Sequence, residues 1–175
     1  MRFELMAHPD TPPDRPDMTV EVWLERWEDG RAEISYHLQA PTDEIVLPDQ
    51  PRRGPADGLW QSTCFELFVR DREGYREYNF SPSGAWAAYQ LDGYRSGMRL
   101  LDLEHEPQID ADDNGDTFVL DAIIDLEGES RFGLSAVIEE VSGTKSYWAL
   151  AHPPGKPDFH HEACFAATLP PMSAE

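Results

Sequence analysis

Residues 58–99 read GLWQSTCFELFVRDREGYREYNFSPSGAWAAYQLDGYRSGMR. Successive side chains on a strand point to opposite faces. Along residues 64–69 that alternation sets Phe65, Leu67 and Val69 against Cys64, Glu66 and Phe68. On the next run Tyr78 and Phe80 oppose Glu77 and Asn79. Two such strands have one apolar face for a core and a second face of carboxylates, an amide and rings. That second face suits a polar, ring-shaped ligand such as a sugar.

The same period recurs on both sides of this stretch. Residues 19–27 set Val20, Val22 and Leu24 against Glu21, Trp23 and Glu25, and residues 31–39 repeat the pattern with Ala32, Ile34, Tyr36 and Leu38. Asp29-Gly30 lies between them and tolerates the positive φ angles of a tight hairpin turn. Residues 41–58 carry four prolines and read as a loop between strands. Further strands are predicted over 117–126, 132–141, 145–151 and about 164–169, with a bend at 127–129 and a proline-studded passage at 152–158. No stretch holds a helical period and none repeats. The chain therefore reads as all-β: one antiparallel β-sandwich domain over residues 1–175, of immunoglobulin-like or jelly-roll-type packing, with flexible ends at about 1–17 and 170–175.

With 175 residues the chain can bury a self-sufficient core. Its 34 acidic residues against 14 basic ones leave a formal charge of −20, which repels phosphate backbones and anionic lipid surfaces. Nucleic acid and membranes are thus set aside as partners, and no motif fixes an oligomeric state. No apolar run suits a signal peptide or a membrane span, so the expected location is the cytoplasm, with Cys64 and Cys164 reduced.

Sugar rings present apolar C–H faces beside hydroxyls, and a site for them needs aromatic platforms plus a few fixed hydrogen-bonding groups. Trp60, Trp86, Tyr89 and Trp148 are the candidate platforms. Glu66, Asn79, Gln90 and Arg95 are the candidate hydrogen-bonding partners. His160 and His161, with His152 nearby, are candidates for ligand contact. As neighbours on a strand they would face opposite ways, which disfavours a shared metal ion.

Glu66 and Glu77 raise the question of catalysis, since two carboxylates in one cleft can act as acid and nucleophile, or acid and base, in glycoside cleavage. Ion pairing with Arg70, Arg76 or Arg95, or hydrogen bonding to a ligand, is the commoner use of such groups. Asp110, Asp112 and Asn114, followed by Gly115, match the opening of a calcium loop. The place of that loop's closing glutamate holds the shorter Asp121, and Asn114-Gly115 is equally a hairpin turn. No nucleophile elbow and no glycine-rich phosphate loop occurs.

Trp60, the string CFELF at 64–68 and YREYNFSPSG at 75–84 together resemble DOMON-like domains and the related family 9 carbohydrate-binding modules. The ending HPPGKPDFHHEACF at 152–165 is similar to a bacterial branch of DOMON-like domains without assigned activity. The resemblance implies a β-sandwich over about the whole chain, binding sugars in some members and haem in others. For a sugar it implies two clamping aromatic rings, of which Trp60 alone lies on a matched segment, and a structural calcium. For haem it implies an axial His/Met pair, and Met98 with His160 or His161 is the nearest set. The resulting expectation is a non-catalytic module for a small polar ligand, a saccharide. A haem-binding electron-transfer domain and a sugar-processing hydrolase using Glu66 and Glu77 stand as alternatives.

Overall fold

The computed structural model describes residues 1–49, 53–128 and 130–169. One sheet runs, edge to edge, through β1 (Arg2–Ala7), β2 (Thr19–Arg26), β3 (Arg31–Gln39), β10 (Thr117–Asp125) and β9 (Gln108–Asp113). The other runs through β4 (Gly54–Pro55), β7 (Ala85–Leu91), β6 (Tyr75–Phe80), β5 (Cys64–Arg70), β11 (Ser130–Glu139) and β12 (Lys145–Ala149) back to β1. Two short strands sit beside this path, β8 (Arg99–Leu100) on β7 and β13 (Ala167–Leu169) on β11. Apart from the parallel β4–β7 pair, all pairings are antiparallel.

The period-2 pattern explains why two layers form. Val20, Val22 and Leu24 of β2, Ile34, Tyr36 and Leu38 of β3, and Leu120 of β10 turn inward on the first sheet. Phe65 and Leu67 of β5, Tyr78 and Phe80 of β6, and Leu134 and Ile138 of β11 meet them from the second. Removing these side chains from water is the main force holding the layers together. The Tyr36 hydroxyl, buried among them, donates to the Glu66 carbonyl at 2.8 Å, so its polar tip is not left unpaired in the core.

β1 joins the layers at one side. Its residues Arg2 to Leu5 pair with β2, whereas Met6 and Ala7 pair with β12. The first part of the expected flexible end over 1–17 thus forms a paired strand. Only Leu5 of this strand is fully buried, so hydropathy gave little sign of it, and ladder hydrogen bonds on two sides hold it. Further along, the Asp14 carboxylate accepts from the hydroxyls of Ser142 and Thr144 at 2.6 and 2.9 Å, and its amide donates to Glu140 at 2.9 Å. The other expected flexible end, 170–175, and residue 129 of the 127–129 bend lie outside the described residues.

The second sheet is covered on its outer face too, which is why every residue of β7 is buried. After β12 the chain leaves the edge of β11, crosses that face as residues 150–166, and returns to the same edge as β13. Phe165 packs on Phe68 and Tyr75, with ring centroids 6.2 and 5.5 Å apart. Arg131 donates twice to the Phe165 carbonyl, at 3.1 and 2.8 Å. The strap lies so close that a Cβ on Gly133 would come within 2.6 Å of the Cys164 carbonyl oxygen, an approach that only glycine permits.

Candidate functional site

Between the strap and the outer face of β5, β6 and β7 lies a cavity of about 460 Å³. Strand parity positions its floor: Glu66 on β5, Glu77 on β6 and Tyr89 on β7 all face away from the core. Val137 of β11 and Tyr147 of β12 extend the floor on one side, and Phe159 and His160 of the strap form a wall. Trp60 stands at the mouth on a short 3₁₀ turn, Leu59–Gln61, that begins after Gly58. Gly58 takes a φ of 71°, the left-handed conformation that glycine enters without a Cβ penalty. Trp60 keeps 54% of its surface exposed, and an indole left half in water beside a polar cavity is free to stack on a ligand.

The floor is a row of buried polar groups. Glu66 accepts from the Ser135 hydroxyl at 3.1 Å, and Asn79 donates to Glu77 at 3.1 Å. Asn79 is 1% exposed, and its Oδ1 has no partner among the described residues. Burial, reinforced by the nearby Glu77 charge, pushes the Glu66 carboxyl up from 4.5 to about 8. Glu66 therefore carries a proton at neutral pH. Burial also raises Glu77, with Asn79 and Arg95 opposing the shift.

The strap wall is fixed by a second row. The Arg95 amide donates to the Tyr75 hydroxyl at 3.2 Å, and that hydroxyl lies 2.7 Å from His160 Nδ1. Burial, with the Arg95 cation, lowers His160 to about 4, so the ring is neutral. In the tautomer whose Nδ1 accepts from the Tyr75 hydroxyl, the imidazole N–H is Nε2, which lies 3.8 Å from Glu77 Oε2. Asp158 ties the strap to the turn after β7, accepting from the Tyr94 hydroxyl at 2.5 Å, Arg95 Nη2 at 2.9 Å and the His160 amide at 3.2 Å. Arg95 holds a positive φ of 49° in that turn. At the opposite rim the Tyr89 hydroxyl donates to Asp57.

Of the residues expected from sequence, Trp60, Glu66, Glu77, Tyr89, Arg95, Met98 and His160 line this cavity. Asn79 lies beneath it, on the same side of β6 as Glu77. Trp86 and Trp148 do not line it. Both are buried on the core side of the sheet, and Trp148 Nε1 donates to Ser146 Oγ at 2.8 Å. His161 points outward and caps the turn Glu162–Cys164 through Nδ1. Gln90 donates to the Tyr75 and Leu91 carbonyls, away from the cavity.

Sequence reasoning missed Asp57, Tyr147 and Phe159 as lining residues. Tyr147 was legible by parity, since its neighbour Trp148 follows the core pattern and must face the other way.

Asp110, Asp112 and Asn114 lie in the β9–β10 hairpin. Asn114 Oδ1 accepts from the Asp116 and Thr117 amides, and Asp113 Oδ1 accepts from that of Gly115. These bonds build a turn rather than a calcium loop, and no group of three or more candidate metal ligands occurs among the described residues. Haem fits the donor set poorly. Both nitrogens of His160 already face protein groups, and its ring packs edge-on against Phe68 at 5.1 Å. Cys64 and Cys164 are buried free thiols. Among the described residues no helix is long and apolar enough to cross a membrane.

No family model and no curated protein matches the chain. Solved structures do. A family 9 carbohydrate-binding module from Caldicellulosiruptor kristjanssonii in complex with glucose superimposes with a TM-score of 0.56 at 11% identity, covering 98% of this chain and 87% of that one. The module from that organism in complex with cellotriose gives 0.51 at 10% identity, over 86% and 75%. At such identities the likeness is one of fold, and it agrees with the β-sandwich expected from sequence.

Proposed function

We propose that this chain is a non-catalytic module that binds a saccharide in the cavity between the strap and β5–β7. The observation that carries this reading is the half-exposed Trp60 at the mouth of a cavity floored by fixed polar groups. A sugar ring would lay its C–H face on the indole and direct hydroxyls toward Glu66, Glu77 and Arg95. Tyr147 or Phe159 would meet its other face. The sandwich neighbours solved with glucose and cellotriose support a sugar as the ligand class, and the motifs around Trp60 and residues 75–84 support a place among DOMON-like relatives of those modules.

Hydrolysis is the second reading, favoured by the proton held on Glu66 beside Glu77. Both carboxyls, however, are fixed by protein partners in a floor buried to within 6% of full cover. Incubation with a panel of soluble saccharides, followed by calorimetry and chromatography, separates the two. Saturable binding with no product supports the module; release of shorter sugars would overturn it in favour of catalysis. A Soret band in the purified protein would instead establish haem.

A further inference from the structure

The cavity carries more acidic than basic side chains, and one of the acids, Glu66, is neutral only through its own proton. Asp57, Glu66 and Glu77 line it, against one arginine. That arginine, Arg95, gives its Nη2 to Asp158 on the strap. His160 is the other basic side chain at the wall, and its burial, with the nearby Arg95 cation, keeps it neutral. Asp57 is engaged with the Tyr89 hydroxyl, Glu66 with Ser135, and Glu77 with Asn79. Each of these partners is neutral. Behind Glu66 the neighbours are Cys64 and Tyr36, which bring no positive charge. Beneath the cavity Asn79, directly opposite Glu66 in the ladder, adds a buried carbonyl oxygen with no partner among the described residues.

A site so arranged is short of a cation and of hydrogen-bond donors. We infer that the cavity selects saccharides bearing a protonated amine over neutral ones, and excludes uronic acids. This rests on the saccharide-binding reading above and narrows its ligand class. An ammonium group has three donors and a full charge. Beside carboxyls as buried as Glu66 and Glu77 it gains more than a hydroxyl does, because the local dielectric screens it less than water would. Glu66 links the choice to a proton. The free site holds it neutral at pH 7, and a bound ammonium favours its ionised form, so the proton leaves to solvent as the amine enters. A sugar carboxylate would meet Asp57 and Glu77 as like charges instead.

The test compares glucosamine, glucose, N-acetylglucosamine and glucuronate on the intact protein by calorimetry, at a pH where the glucosamine amine is protonated. Two buffers of different ionisation heat report protons released. Glucosamine is expected to bind roughly tenfold or more tightly than glucose or its N-acetyl form, releasing up to about one proton, with glucuronate weakest. Glu66→Gln and Glu77→Gln should each lower the glucosamine-to-glucose affinity ratio. Equal affinities for glucosamine and glucose, or a ratio unchanged in both variants, would overturn the charge selection while leaving saccharide binding intact. Failure of all four sugars to bind would remove both readings.

Discussion

Glu66 stands directly opposite Asn79 in the β5–β6 ladder, with 3% and 1% of their surfaces exposed. Glu66 accepts a hydrogen bond from Ser135, while Asn79 Oδ1 has no partner among the described residues. A protonated Glu66 is the form that can donate toward such an acceptor. The buried row from Ser135 to Glu77 is therefore best satisfied when it holds one proton, and an ionised Glu66 is a cost to the fold.

That cost makes stability depend on pH. The folded Glu66 keeps its proton up to about pH 8, whereas the carboxyl of the unfolded chain loses it near 4.5. Between those values the folded state binds more protons, so stability falls as pH rises. Glu66→Gln keeps the shape without the titration. Relative to this variant, the native protein should lose stability between about pH 4.5 and pH 8, by up to roughly 4 kcal/mol. Urea unfolding of both proteins across that window measures the difference, and a difference independent of pH would show that Glu66 titrates normally.

Trp60 and Trp148 should separate cleanly in thermal unfolding. Trp148→Ala opens a core cavity, and a loss of roughly 3–5 kcal/mol is expected. Trp60→Ala removes a half-exposed ring, so a change within about 0.5 kcal/mol is expected. A large loss at Trp60 would place its ring in the packing instead of at the cavity mouth.

Parity explains how far the site was legible. Along β5 and β6 the alternation of Phe65 and Leu67 with Glu66, and of Tyr78 with Glu77, identified both the core face and the polar face. Applied to β12 and β7 the same rule places Trp148 and Trp86 inward and Tyr147 and Tyr89 outward. Aromatic size alone, by contrast, favours the tryptophans. β7 itself, AWAAYQL, has no alternation because the strap buries its outer face. The strap has no period to read, since loop chemistry and contacts with Gly133, Phe68 and Tyr75 place it. For that reason His160 and His161 were indistinguishable until the fold turned one inward and the other out.

The strap's seat on β11 can be tested at Gly133. Gly133→Ala forces its Cβ against the Cys164 carbonyl, so the strap must shift. A loss of roughly 1–3 kcal/mol is expected, with faster amide exchange over residues 152–165 and little change in β2, β3 and β10. Unchanged exchange in the strap would mean that it does not rest on β11 as described.

Calcium provides a further check. Because the amides of Asp116 and Thr117 already occupy Asn114 Oδ1, a chelator is expected to leave the unfolding temperature unchanged, and added calcium should not raise it. A rise with calcium would show that the β9–β10 turn rearranges to bind the ion.

The most direct measurement is a titration of the native protein and of Trp60→Ala with glucose and a cello-oligosaccharide. Tryptophan fluorescence follows the native protein and calorimetry follows both. A saccharide site in the strap cavity predicts a saturable fluorescence change and a loss of roughly 1–3 kcal/mol in binding when the indole is removed, with the variant still folded. Sugar binding of undiminished affinity in Trp60→Ala, or no binding of either sugar to the native protein, would contradict it.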